Sequence, residues 1–222
     1  MILFKRGSRG EDVKQIQIAL HLYPDGIFGP QTEAAVKEFQ REHKLKVDGI
    51  VGPATLLLLI PQRFKKSRRR IDEIIIHCSA TPEGKDYTVD IIRGWHLARG
   101  FSDIGYHYVI YRDGTIHNGR DVDVIGAHCS GHNAHSIGIC YIGGMTYDNK
   151  KAKDTRTPEQ KIALNALLSD LHKLYPKAKI YGHRDMSPDI NGDGVIDEQE
   201  WMKQCPSFEA KRAYKSIFSD VW

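Results

Sequence analysis

An eight-residue pattern occurs twice near the start of the chain, and it limits the possible folds more than any other feature. Asp25-Gly26-Ile27-Phe28-Gly29-Pro30-Gln31-Thr32 returns 23 residues later as Asp48-Gly49-Ile50-Val51-Gly52-Pro53-Ala54-Thr55. Each copy reads as a Gly-bearing turn, an apolar anchor pair, and a Gly-Pro step into a helix, where Pro is tolerated in the first turn. Between the copies, Ala35, Val36 and Phe39 share one helical face; Val13, Ile16, Gln17 and Leu20 repeat that spacing after Gly10. Two copies are too few for a solenoid, so residues 1–60 are expected to close as a small three-helix domain.

The next ten residues, PQRFKKSRRR, carry six basic and no acidic side chains, so the chain's net charge of +4 is concentrated there. Residues 61–70 are therefore expected to form a solvated, self-repelling linker. No aromatic-studded basic surface accompanies the run, which argues against a nucleic-acid partner; loose attraction to an anionic surface is compatible with it. No apolar stretch approaches the ~18 residues of a membrane helix, so no stable membrane insertion is expected. The opening MILFKRGSRGEDVKQ has no signal-peptide core. The four cysteines, Cys78, Cys129, Cys140 and Cys205, form no CxxC pair, which favours thiol or metal chemistry over disulfides.

Residues 71–222 change character. Ile71 to His77 is a continuous apolar run, as in a strand buried on both faces. Thr88 can cap a helix bearing Ile91, Ile92, Trp95 and Ala98, closed by Gly100. Gly105–Tyr111 and Ser136–Ile142 read as strands, and Thr157-Pro158-Glu159-Gln160 is a capping box opening a helix that ends before Pro176. Lys179–His183 reads as a last short strand, and Ser207 as the cap of a C-terminal helix. Strands alternating with helices predict an α/β fold, a mixed central sheet flanked by helices.

Two groups compete for a metal. His77 and His183 end two predicted strands, and Cys205 precedes a helix; His128, Cys129, His132 and His135 cluster within GAHCSGHNAHS. The second group is closer in sequence but weaker in physics. A His-x-x-x-His pair converges on a helix, and the surrounding Gly and Ser predict a loop. Ligands at strand ends are held by a rigid sheet, and three of them leave a fourth position open, the arrangement of catalytic zinc.

Gly7-Ser8-Arg9-Gly10-Glu11-Asp12-Val13, Gln17, the two turns and Phe39-Gln40 together resemble the peptidoglycan-binding domain of cell-wall hydrolases. His77-Cys78-Ser79-Ala80-Thr81, Trp95-His96, Gly105-Tyr106-His107-Tyr108, Arg112-Asp113-Gly114-Thr115 and Gly119-Arg120 open a second match. It continues through His135-Ser136-Ile137-Gly138-Ile139, Gly182-His183-Arg184-Asp185 and Cys205-Pro206-Ser207-Phe208. This set resembles the zinc-dependent N-acetylmuramoyl-L-alanine amidases, which include amidase-type phage lysozymes and the peptidoglycan recognition proteins.

The resemblance implies zinc held by His77, His183 and Cys205, with Tyr106 and Lys203 as catalytic residues and His128 as a substrate contact. It implies hydrolysis of the amide between N-acetylmuramic acid and the first L-Ala of the stem peptide. The expected partner is bacterial peptidoglycan, and a monomer is expected. Synthesis in the bacterial cytoplasm, then action on the wall after release or export, fits the missing signal sequence. The alternative is a non-catalytic peptidoglycan receptor; receptors of that kind lack the zinc cysteine, so Cys205 and Tyr106 favour the enzyme.

One segment departs from the compact phage pattern. His183 and Cys205 are separated by an insert whose residues 189–200 read DINGDGVIDEQE. Asp189, Asn191, Asp193, Val195, Asp197 and Glu200 fill the ligand positions of an EF-hand calcium loop, with Gly192 at its sharp turn. A Ca2+ ion is expected beside the Zn2+, with helix flanking the loop only downstream, over Gln199–Lys203.

Overall fold

The computed structural model describes residues 3–60 and 64–218 and divides into two compact units, Met1–Arg63 and Phe64–Trp222. The first unit contains α1 (Glu11–Ala19), α2 (Pro30–Glu42) and α3 (Pro53–Leu59), with Pro at the first turn of α2 and α3. Val13, Ile16, Phe28, Val36, Val51 and Leu59 form its core.

The sequence repeat is explained by two matching hydrogen-bond networks. The Gln17 side-chain amide donates to Asp25 Oδ1 (2.7 Å), the Ile27 carbonyl (3.1 Å) and Thr32 Oγ1 (3.1 Å), and its carbonyl accepts from Gly26 N–H. Gln40 does the same with Asp48 (3.0 Å), the Ile50 carbonyl (2.9 Å), Thr55 (3.2 Å) and Gly49 N–H. Both amides are buried, where an unmade hydrogen bond costs about 1–3 kcal/mol. The Asp and Thr of each copy are therefore partners of a glutamine eight residues before the Asp. Gly26 and Gly49 adopt φ of 75° and 72°, the left-handed conformation these turns require.

The second unit is an α/β sandwich. In chain order it contains β1 (Glu73–Cys78), β2 (Thr81–Pro82), α4 (Val89–Ala98), β3 (Tyr108–Ile110), β4 (Ile116–Asn118), β5 (Ser136–Tyr141), β6 (Gly144–Met145), α5 (Pro158–Leu174), β7 (Lys179–Gly182) and α6 (Ala210–Ala213). The main sheet has the order β4-β3-β5-β1-β7, parallel except for the β3/β4 pair; β2 and β6 form a separate two-stranded sheet. β1 lies between β5 and β7, so Ile74, Ile75 and Ile76 are fully buried, which is why this strand reads as an unbroken apolar run. The Thr88 cap and the Thr157/Gln160 capping box form as expected. Among the described residues, no helix is long and apolar enough to cross a membrane.

Four local expectations are corrected. The expected strand 105–111 shortens to Tyr108–Ile110: before it the Gly105 and Tyr106 carbonyls accept from Ala127 and Arg120 N–H, and after it Tyr111 N–H donates to the Thr115 carbonyl in a turn. Ser207 does not cap α6; it has φ 69°, and its hydroxyl donates to the Gly144 carbonyl. Gln199–Lys203 is turn and coil rather than helix. The fourth concerns the basic segment. Its residues 61–63 lie outside the described residues, but 64–70 pack onto the second unit instead of forming a solvated linker. Ser67 is buried, with its N–H donating to Tyr175 Oη at 2.6 Å and its hydroxyl to the Val122 carbonyl at 2.7 Å. Lys65 pairs with Asp121 and Asp123, Arg68 with Asp123, and Arg70 with Asp72. Arg69 reaches inward and donates to the carbonyls of Val122, Asn133, Ala134 and Ser136. Carboxylates for Lys65, Arg68 and Arg70 and carbonyls for Arg69 dock the segment that its charge was expected to keep extended.

Candidate active site

Strand register assembles the site. Ile76 of β1 pairs with Gly182 of β7, so the next residues, His77 and His183, emerge side by side at the carboxyl ends of two parallel strands. Open α/β sheets bind ligands at such ends. His77 Nδ1 and His183 Nδ1 lie 3.0 Å apart, and Cys205 Sγ lies 3.8 Å from His77 Nδ1. Cys205 is fixed twice over. Its carbonyl accepts from Arg184 N–H at 2.8 Å, and its sulfur accepts from Cys78 N–H at 3.3 Å.

These distances fit zinc. Tetrahedral bonds of about 2.0–2.1 Å to nitrogen and 2.3 Å to sulfur place neighbouring ligand atoms about 3.3 Å (N to N) and 3.6 Å (N to S) apart. Burial, followed by the charges of its neighbours, lowers the His77 pKa well below the ordinary imidazole value; burial and then Lys203 bring His183 to about 4. Both rings are neutral at pH 7, the form that binds metal. Burial also raises the Cys205 thiol, so its thiolate requires a cation to pair with.

His77 has a second contact. Its Nε2 lies 3.0 Å from His128 Nδ1, and His128 Nε2 is 3.3 Å from Ser136 Oγ. The His128 ring fills a slot lined by Gly126 and Gly138, where any Cβ would come within 2.6 Å and 2.5 Å of it. His128 is only 8% exposed. His128 thus sits behind His77, with both ring nitrogens engaged. The interaction is one that sequence reasoning missed, although Gly126 and Gly138 were its visible trace.

Tyr106 and His107 precede β3 and have different neighbours. The Tyr106 ring lies against His77, with centroids 5.2 Å apart. His107 Nδ1 accepts from Gly138 N–H, and its Nε2 meets Arg69 at 3.1 Å. The backbone at Tyr106 is tightly fitted: a Cβ on Gly105 would sit 2.2 Å from the Ala127 carbonyl oxygen, and one on Gly119 2.3 Å from that of Tyr106. Burial, then the thiols Cys140, Cys205 and Cys78, push the Tyr106 phenol well above its ordinary pKa. Lys203 is exposed, and its charge is felt by both His77 and His183.

The GAHCSGHNAHS segment does not gather its own four side chains around a metal. His128 turns toward His77, and Cys129 is buried with its thiol raised to about 11 by burial. His132 and His135 instead meet Glu73. Among the described residues, two groups of three or more metal-ligating side chains converge: His77/His183/Cys205 and Glu73/His132/His135. In the 189–200 loop the acidic groups face the loop's own backbone. Asp189 accepts from Gly192 and Gly194 N–H, and the buried Glu200 from Ile190, Asn191 and Asp197 N–H.

A His/His/Cys trio at parallel strand ends, beside a neutral phenol and an ammonium, has the makeup of a metal-dependent hydrolase centre. A family model described as N-acetylmuramoyl-L-alanine amidase matches residues 67–207, and one described as a peptidoglycan binding domain matches residues 9–59. The endolysin of Enterobacteria phage K11 is 40% identical over 150 residues, covering 67% of this chain and 89% of that protein. The amidase LysC from Clostridium intestinale URNW shares the fold, with TM-score 0.51 at 24% identity over 72% of this chain and 94% of its own. Wild-type Drosophila PGRP-LB aligns with TM-score 0.50 at 26% identity over 70% of this chain and 86% of its own. The chain belongs to the N-acetylmuramoyl-L-alanine amidase family. It is a peptidoglycan hydrolase carrying a peptidoglycan-binding domain.

Proposed function

We propose that the chain is an endolysin-like enzyme in which His77, His183 and Cys205 hold a catalytic zinc ion. The observation that carries this reading is the convergence of three ligand atoms at the ends of β1 and β7. When bound, zinc polarises the scissile carbonyl and acidifies a water to a pKa near ~7. The bond cut is the amide between the lactyl group of N-acetylmuramic acid and L-Ala. His128, backed in turn by Ser136, holds the His77 ring from behind and orients its Nδ1. Tyr106, a neutral phenol, donates a hydrogen bond toward the developing oxyanion, and the Lys203 ammonium adds positive charge on the open side. The N-terminal module keeps the catalytic unit near an insoluble polymer, and action on the wall follows release or export. The direct test is mass spectrometry of digested peptidoglycan. Free lactyl ends appearing with new L-Ala amines identify the bond, whereas wall binding without new amines would favour the receptor.

A second reading concerns the insert. Asp189, Asn191, Asp193, Val195, Asp197 and Glu200 are read as a calcium loop, supported by the filled ligand positions and by Gly192 and Gly194 at φ 75° and 82°. Calcium would relieve repulsion among four carboxylates and steady the segment that delivers Lys203 and Cys205. Melting curves at saturating zinc should therefore rise with added calcium. Asp193→Ala combined with Glu200→Ala should melt at a temperature independent of calcium. A wild-type melt that ignores calcium would reduce the loop to an acidic spacer.

A further inference from the structure

Glu73, His132 and His135 lie outside the catalytic trio, and the mechanism gives them no task. We propose that they form a second site for a transition-metal dication, with zinc the ion their chemistry favours. His132 Nδ1 lies 2.9 Å from Glu73 Oε2, and His135 Nε2 lies 3.4 Å from the same oxygen. All three ligand atoms fall within 4.8 Å of one another. These two edges bracket the separation of about 3.3 Å expected between neighbouring N and O ligands of tetrahedral zinc. An ion pair needs one imidazole; here two converge on one carboxylate oxygen. Two imidazoles with a carboxylate suit zinc, nickel, cobalt or iron, whereas calcium and magnesium prefer all-oxygen shells.

Local structure explains the convergence. His132 caps the 3-10 turn Asn133–His135, and in a 3-10 helix residues i and i+3 stand one above the other. The spacing that argued against a helical His-x-x-x-His site thus left a His-x-x-His pair that a tighter turn brings together. The turn is held in place from several sides. Arg69 donates to the carbonyls of Asn133, Ala134 and Ser136, Ser136 Oγ donates to that of His132, and Asp72 N–H to that of His135.

The site is open on one side. The Glu73, His132 and His135 side chains are 16%, 32% and 36% exposed, so water can complete the shell. It is also separate from the catalytic trio: Glu73 precedes His77 by four residues of β1, roughly 13 Å at strand rise. An ion here ties the start of β1 to the loop that carries His128, and so braces His77 at one remove.

The test is a cobalt titration of the untagged, metal-free, full-length chain. Two equivalents should bind. One should show near-ultraviolet thiolate-to-cobalt charge transfer from Cys205; the other should add visible d–d absorption without it. Glu73→Gln and His135→Ala should each keep the thiolate-bearing equivalent and lose the other. His135→Gln, which retains a polar partner for Glu73, guards against a folding defect. In melting curves, a second equivalent of zinc should stabilise wild type and leave His135→Gln unmoved. A single equivalent in wild type, or a second one that survives all three substitutions, overturns the site. Because the thiolate band reports the catalytic trio by itself, failure here is distinguishable from failure of the amidase reading.

Discussion

Full-length protein carrying Ala at His77, His183 or Cys205 should release no amine from purified cell wall above background, and it should not retain zinc through gel filtration. In the proposed centre each residue supplies one of only three protein anchors, with His77 Nδ1 3.0 Å from His183 Nδ1 and 3.8 Å from Cys205 Sγ, held by two strand ends and a backbone tie. Two anchors leave the ion half solvated and no longer aimed at the carbonyl. His128→Ala should behave differently. It removes the partner of His77 Nε2 but no ligand, so zinc affinity should fall about 10–100-fold, and cleavage should return when zinc is added in excess. Elemental analysis together with amine release separates the two patterns. Normal zinc content and rate in any one of the three ligand variants would remove that residue from the centre.

What the sequence revealed and what it concealed divide along the range of the interactions involved. The repeat was legible as repetition, the caps at Thr88 and Thr157 because their partner groups lie within about one turn, and the buried run at Ile74–Ile76 because burial on both faces leaves an apolar run. His77, His183 and Cys205 span 128 residues, yet their convergence was legible by resemblance and because strand ends are natural ligand positions. The docking of Arg69 left no local signature. A run of positive charge looks self-repelling until the carbonyls of Val122, Asn133, Ala134 and Ser136 and the carboxylates of Asp121 and Asp123 are placed around it. The surroundings of His128 were hidden for the same reason. Its partner, His77, is 51 residues away, and only the paired glycines at 126 and 138 recorded how closely the backbone approaches its ring. The loop cluster was set aside as a metal group, yet two of its members, His132 and His135, converge on a glutamate from β1 that no local spacing could supply.

Tyr106→Phe and Lys203→Ala should each retain zinc and the wild-type melt while turnover falls by ~10² or more, the scale of losing one donor to an oxyanion. The phenylalanine keeps the ring that packs on His77 at 5.2 Å, so only the hydroxyl is lost. Lys203 is exposed, so its truncation leaves no cavity. In the proposed mechanism both groups act where charge develops rather than where substrate is held, and the deficit should therefore appear in kcat with KM little changed. The two losses need not multiply in the double variant, because both donors serve one developing charge. A Lys203→Arg variant separates charge from shape: it restores the cation, and partial recovery would assign the effect to positive charge beside His183. Rates near wild type for both single variants would leave the metal ligands alone responsible for turnover and would strip Tyr106 and Lys203 of a catalytic role. A rise in KM at unchanged kcat would instead move them to substrate binding.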